Sequence, residues 1–438
     1  MTNWITSSLE DALERLIDYR GKSPPKATTG IPVISAKVVK TTGLLEPIEQ
    51  RIAPGFYDRW MTRGLPEVGD VVLTTEGPLG EVIQLTPRTV RYALGQRVVC
   101  LRGKAGKLDN TFLRYLLTSP RQQEILASRA TGTTVAGVSQ KALRSMPISY
   151  PAYDEQRAIG NILAALDDRI ELNRRMNETL EAMARAIFRD WFVDFGPVRR
   201  KLAGEADPVS VMGGLTPDPA HAAEMAALFP AALADDGLPE GWAIGRFGDL
   251  VSNVNERRRA GELTRSQPYV PIDCLPPRSL ALAEFRPGEE AQTSLIGFRR
   301  NDVLFGAMRP YFHKVVVAPF EGTTRTTVFV LRPKSETDLA FVAMLTSASS
   351  TIEFATANSS GTTIPYAVWG GSMENMPVIA PPRTVRTAFD ILVQPMLKKL
   401  TTSLNENRTL AETRDYLLPR LMSGQVRVNP SNTESDAA

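Results

Sequence analysis

The sequence predicts a mixed α/β fold with two similar domains joined by two long antiparallel α-helices. Three observations predict it. Motifs recur in the same order after about 230 residues. Short β-type runs alternate with Gly/Pro turns in both halves. Each half ends in a long stretch whose apolar residues step by three and four.

The repeat reads as follows. TGTTVAGVSQKALRSMPI at 131–148 answers SGTTIPYAVWGGSMENMPV at 360–378. Gly69-Asp70-Val-Val-Leu73 answers Asn301-Asp302-Val-Leu-Phe305, and Asn177-Glu-Thr-Leu180 answers Asn407-Arg-Thr-Leu410. One long period used twice indicates duplicated domains and excludes a solenoid. Strands are predicted at Ile31–Val39, Asp70–Thr75 and Arg97–Leu101, then at Asp302–Phe305, Lys314–Val317 and Thr326–Leu331. Amphipathic helices are predicted at Thr111–Ala130 and Asp338–Ala357.

The first long helix is predicted over 154–188, with Ile159, Leu163, Leu166, Ile170, Met176, Leu180, Met183 and Ile187 forming a seam. The second steps through Val393, Leu397, Leu400, Leu404, Asn407, Ala411, Leu418 and Leu421, with Pro395 starting or kinking it and Pro419 ending it. Asn173, Asn177 and Asn407 lie at or beside the seam, where they either fix register or point outward. The two helices pair most simply as an intramolecular antiparallel coiled coil. At 1.5 Å per residue, about 35 residues span roughly 50 Å.

The domain reading is 1–150, a first mixed domain; 151–195, a first helix; 196–240, an acidic linker; 241–380, a second mixed domain; 381–424, a second helix; and 425–438, a flexible tail. The linker is rich in Pro, Gly and Ala, with one short helix near Ala220–Leu228.

Composition narrows the function. With 438 residues, 43% hydrophobic and 23% charged, the chain buries cores and is neither disordered nor collagen-like. No apolar run approaches the roughly 18 residues of a membrane span. The start lacks a basic stretch followed by an apolar one, so a cytoplasmic protein is expected. Cys100 and Cys274 make neither a disulfide framework nor a zinc set. Net charge is +3 but uneven. Residues 20–144 carry 19 Lys/Arg against 9 Asp/Glu, whereas 203–240 carry seven acids and no Lys or Arg. The basic excess suits a polyanion, although solvated surface alone also explains it.

Catalytic motifs are missing. There is no Walker A loop, no Asn- or Asp-Pro-Pro-aromatic tetrapeptide of adenine methyltransferases, no Gly-x-Ser-x-Gly elbow and no metal-spaced cluster. Two histidines, His221 and His313, leave little room for imidazole chemistry. Asp167-Asp168 reads as solvated helix surface.

Several motifs carry a resemblance. Phe188-Arg-Asp-Trp191-Phe192-Val-Asp-Phe195-Gly-Pro197-Val, Asp154-Glu-Gln-Arg157 and Arg414-Asp-Tyr-Leu-Leu-Pro-Arg-Leu-Met-Ser-Gly424 resemble the specificity subunits of type I restriction–modification systems. Gly196 stands where an acid is more usual, and the second copy has Arg383-Thr-Val-Arg386 in place of Asp-Glu-Gln. The resemblance implies two target-recognition domains, each reading half of a bipartite double-stranded DNA site, held apart by the helical spacers. It implies two methyltransferase subunits as partners, using S-adenosylmethionine, and restriction/translocase subunits using ATP and Mg. This chain would bind no cofactor or metal and catalyse nothing alone.

DNA contacts are sought among loop cations, hydroxyls and amides. The first domain offers Arg20, Lys22, Lys37, Lys40, Arg88, Arg91, Thr133, Thr134, Gln140 and Lys141. The second offers Arg257, Arg258, Arg259, Arg309, Tyr311, His313, Lys314, Arg325, Thr362 and Thr363. Each is otherwise ordinary solvated surface, and Tyr311 a packed turn residue. Trp191, Phe192 and Phe195 are the expected methyltransferase hot spots, or else pack their own helix end. Two rivals stand beside this reading: a coiled-coil scaffold binding only proteins, and a hydrolase or nuclease with an unrecognised site.

Overall fold

The computed structural model describes residues 4–19, 21, 23–132, 135–292, 294–361 and 363–428. The chain divides into two compact units, Met1–Ile170 with Thr409–Ala438, and Glu171–Arg408. Both cuts fall inside long helices, Tyr153–Phe192 and Arg383–Met422. Each unit therefore owns one mixed domain and part of both helices, where the sequence reading separated helices from domains.

The first unit is built on a four-stranded antiparallel sheet. Its strands are β1 (Leu13–Asp18), β2 (Val71–Thr75), β3 (Leu79–Gln84) and β4 (Val98–Gly103), in the order β1-β4-β2-β3. The central strands β2 and β4 are buried throughout, because both faces carry a core. Val71, Leu73, Val99 and Leu101 face one core with Phe112 and Leu116. Val72, Val98 and Cys100 face the other with Val33, Ile34 and Ile52. Two-sided burial explains why these strands read as unbroken apolar runs. The predicted helix Thr111–Ala130 is two helices, Asn110–Thr118 and Pro120–Ser128. Pro120 disfavours helical backbone at Ser119 (ψ 142°) and opens the second helix at its first turn.

The second unit repeats the sheet order with β5 (Val251–Val254), β6 (Val303–Gly306), β7 (Val315–Val317) and β8 (Val328–Pro333), arranged β5-β8-β6-β7. One buried device occurs in both sheets. Arg102 on β4 donates Nε to Asp70 Oδ1 at 2.8 Å and Nη2 to Oδ2 at 2.9 Å. Arg332 on β8 donates the same pair to Asp302, both at 2.8 Å. Asp70 also accepts the Glu67 amide, and Asp302 the Arg299 amide. Both guanidinium pKa values rise, first through the hydrogen bond to that aspartate.

The stretch expected as a linker is packed. Helices Gly196–Leu202, Pro208–Val211 and Pro219–Ala227 place Val198, Val211, Met212, Met225 and Phe229 in the second unit's core. Its seven acids all remain exposed. The predicted helix Asp338–Ala357 breaks at Ser347-Ala348 into Leu339–Thr346 and Ser349–Ala357.

Both long helices have 40 residues, about 60 Å at 1.5 Å per residue. Their pairing is antiparallel within each unit. In the first, Asp167 accepts from Arg414 at 2.8 Å, and Ile159 and Leu163 share a core with Leu421 and Met422. In the second, Asn173 Nδ2 donates to Asn407 Oδ1 at 2.9 Å, while the rings of Phe188 and Phe389 lie 5.9 Å apart. Asn173 and Asn177 are buried, and Asn173 faces the other helix through Asn407, whereas the buried Glu181 accepts from Ser279 Oγ and Leu280 N in the mixed domain. Met183 is 45% exposed and Ala184 takes its place. Asp167 is not solvated: Arg114 and Tyr115 donate to its Oδ2, each at 2.7 Å.

The prolines do not bound the second helix. Pro395 lies twelve residues past its start and Pro419 three before its end. Both are exposed, so the carbonyls they leave unpaired face water while the opposite side stays packed. Substitution also explains the missing Asp-Glu-Gln motif. Gln156 accepts the Asp109 amide at 3.0 Å and donates to Lys107 and Pro151 carbonyls, tying the helix start to its domain. In the second unit Arg386 pairs with Asp338 at 3.5 Å instead.

Candidate nucleic-acid interface

The residues that flank the repeated Gly-Thr-Thr motif make matching bridges in both units. In the first, Gly137 bridges to Thr131 and to Glu76, which sits at the turn between β2 and β3. In the second, Tyr366 bridges to Ser360 and to Met308, at the turn between β6 and β7. Gly132 (φ +108°) and Gly361 (φ +90°) start the two loops, and a Cβ there would lie 2.6 Å from Val135 O and 2.8 Å from Ile364 O. Only glycine fits both the backbone and the space. Thr133, Thr134 and Thr362 lie outside the described residues, as do Arg20 and Lys22. Thr363 is exposed.

The hairpin tips beside these loops differ. In the first unit β2 turns into β3 through Glu76-Gly77-Pro78, since Thr75 already pairs with Leu79. Arg97 (φ +60°) ion-pairs with Glu76 at 3.4 Å there, a contact that nothing in the sequence pattern signals. In the second unit Ala307–Lys314 makes a longer tip with a single 3₁₀ turn, Pro310–Phe312. Tyr311 and Phe312 are each 47% exposed.

The candidate cations fall into two groups. Among the described residues, no carboxylate lies within ion-pairing distance of Lys37, Arg91, Lys141, Arg257, Arg309 or Arg325. All are exposed except Arg309, which is half-buried with an unpartnered Nε. Gln140 and Lys141 open the short helix Gln140–Arg144 and are exposed. The other cations are already engaged. Lys40 faces Glu81 at 3.9 Å, Arg88 pairs with Glu46 at 2.9 Å, Arg258 faces Glu256 at 3.9 Å and Arg259 faces Glu262 at 3.7 Å. Lys314 donates to Ile272 O at 2.8 Å.

Two expectations are corrected. His313 is not a surface contact: it is 6% exposed, and its Nε2 donates to Ser347 O at 2.8 Å. Burial, then Arg278 and Arg185 nearby, lower its pKa, against the raising effect of the Ser347 bond. Trp191, Phe192 and Phe195 are not a docking surface, being 0%, 3% and 7% exposed. Their rings pack on Phe229, Phe389, Phe341 and Trp242 at 4.8 to 5.8 Å between centroids. Large aromatic rings dominate the burial of a core, and here they are buried in the second unit's own core. No group of three or more metal-ligating side chains occurs among the described residues.

A family model described as a type I restriction modification DNA specificity domain matches residues 2–182. The chain is 26% identical over 378 residues to the MjaIX specificity subunit of Methanocaldococcus jannaschii, covering 82% of this chain and 78% of that one. It is 24% identical over 378 residues to the HindI specificity subunit of Haemophilus influenzae, covering 76% and 81%. The crystal structure of a type I restriction–modification S subunit from M. genitalium matches with a TM-score of 0.59, 15% identity and 96% coverage of both chains. The mixed fold with its long helix is thus that of a type I S subunit. The first part of the chain, residues 2–182, is thus similar to type I restriction modification DNA specificity domains, and most of the chain is similar to specificity subunits.

Proposed function

We propose that this chain reads a bipartite DNA target, one half with each mixed domain, and that the domains arose by duplication. One observation carries the reading: the two units share an Arg–Asp clamp and a glycine-started loop but carry unlike hairpin tips. A common frame with different tips suits two readers of different half-sites. The paired helices act as the spacer that sets the unread gap, and they dock two methyltransferase subunits. S-adenosylmethionine is bound by those partners, and ATP and Mg by restriction/translocase subunits. The setting is cytoplasmic. Among the described residues no single helix is long and apolar enough to cross a membrane.

The test is methylome sequencing of a strain carrying the complex, with residues 241–380 exchanged for those of a relative. The expected result is a new second half-motif and an unchanged first. If both halves change together, the independent-reader reading is wrong. A heptad inserted in each helix, near Leu172 and Thr402, lengthens the spacer by about 10 Å, or roughly three base pairs at 3.4 Å each. An unchanged gap in an active complex would show that the helices do not set it.

A further inference from the structure

We infer that Tyr311 and Phe312 are an aromatic wedge that enters the duplex between two base pairs at the second half-site. The inference rests on the DNA-reading proposal and deepens it. Both rings are half exposed and lie 4.9 Å apart at 57°. Large aromatics left in water on a soluble chain mark a contact surface.

The tip that presents them is held at both ends. Arg309 and His313 adopt left-handed backbone, φ +54° and +55°, a conformation costly for non-glycine residues and kept where neighbours enforce it. The enforcing bonds are visible. Arg309 N donates to Pro365 O at 2.8 Å, in the Gly-Thr-Thr loop. His313 N donates to Pro310 O, and Arg278 N to His313 O, each at 2.8 Å. The His313 ring and the Lys314 ammonium anchor the far side on Ser347 O and Ile272 O. The rings are therefore presented on a pre-ordered loop and lose little freedom on binding.

Charge selects the occupant. No acid occurs between Asp302 and Glu321, while Arg309 and Lys314 flank the rings. Arg325 adjoins Thr326, whose carbonyl accepts the Tyr366 hydroxyl at 2.8 Å, and Tyr366 bridges to Met308. An apolar pair framed by uncompensated cations fits stacked bases between phosphates better than an apolar protein groove. Proteins that wedge side chains between base steps unstack them, most easily at pyrimidine–purine steps. The first unit's three-residue tip holds no aromatic residue, so the wedge belongs to the second half-site alone.

The experiment uses the full chain with its methyltransferase subunits, on duplexes carrying the mapped target with 2-aminopurine at successive positions. The expected result is a rise in emission confined to one step in or beside the second half-site. The double variant Tyr311→Ala with Phe312→Ala should lose that rise and bind the target about 10- to 100-fold more weakly. It should keep the wild-type unfolding temperature. Tyr311→Phe with Phe312→Tyr should retain the rise. No rise at any position, or an unchanged rise and affinity in the alanine variant, overturns the wedge while DNA reading stands. Failure of the wild-type complex to bind any mapped target overturns the DNA-reading proposal and the wedge with it.

Discussion

The two mixed domains share a four-stranded sheet of the same strand order and differ at the hairpin tip between its second and third strands. Both pin the last strand of the sheet to the second through a bidentate Arg–Asp pair whose aspartate also caps a turn amide. Both close a glycine-started loop with two isolated bridges. Between these shared parts, one tip spans three residues with an Arg97–Glu76 pair and the other carries a ring pair on a strained turn. The difference teaches that the frame is a constant holder and the tip the variable part, since a tip can change without disturbing a core.

The largest way to break this comparison is to remove the clamp. Asp70 is 1% and Asp302 2% exposed. Removing one partner of a buried pair costs about 3–5 kcal/mol where the other charge is left alone. Here Arg102 keeps Glu67 and Arg332 keeps Glu256, so the loss should be smaller. Asp70→Ala should cost more than Asp302→Ala, because the Arg102 side chain is 10% exposed against 27% for Arg332, which water can partly rescue. Calorimetry should show Asp70→Ala lowering the transition of the first unit and Asp302→Ala that of the second. Equal, small losses would mean that the clamps carry little of the sheet's stability.

A smaller effect is expected at the shared loop. Gly132→Ala and Gly361→Ala each force a Cβ against a carbonyl oxygen at positive φ, at a cost of about 1–3 kcal/mol. Each should weaken methylation at one half-site only, as read by a methylation assay on targets degenerate in the other half. If Gly132→Ala relaxes both halves alike, the loops are not separate parts of separate readers.

Much of this was legible in sequence for a physical reason. Repeats and buried strands leave strong patterns, so Asp70/Asp302 and the Gly-Thr-Thr pair are readable in the sequence alone. The long helices were legible too, but Pro395 misled: local propensity opposes it mid-helix, and packing on Val393 and Leu397 overrides that. The 196–240 stretch misled in another way, because its exposed acids dominate the composition while a few apolar residues do the packing. Site residues were least legible. Lys, Arg and His look alike on a sequence whether paired, buried or free, and only geometry separates Arg309 from Arg259 or shows His313 inside the core.

The smallest expected effect uses that histidine to separate the units by pH. Both histidines, His221 and His313, fall in Glu171–Arg408, so the first unit has none. Burial first, and then Arg278 and Arg185, hold the His313 pKa below its ordinary 6.5. The unfolded chain therefore takes up the proton first as pH falls, and folding must give it back. Stability from this group is fully present above about pH 6.5 and is lost as pH falls from there through the lower folded value. Asp338 and Asp390, raised by burial, act in the opposite sense and at more acid pH, favouring the fold once protonated. The measurement is the unfolding temperature of each transition between pH 8 and pH 5.5, in wild type and in His313→Gln, whose amide can still donate to Ser347. The second transition should fall with pH in wild type and fall less in the variant. The first should show no histidine-dependent change in either. If His313→Gln leaves the slope of the second transition untouched, the buried imidazole is not what makes the two units differ in pH response.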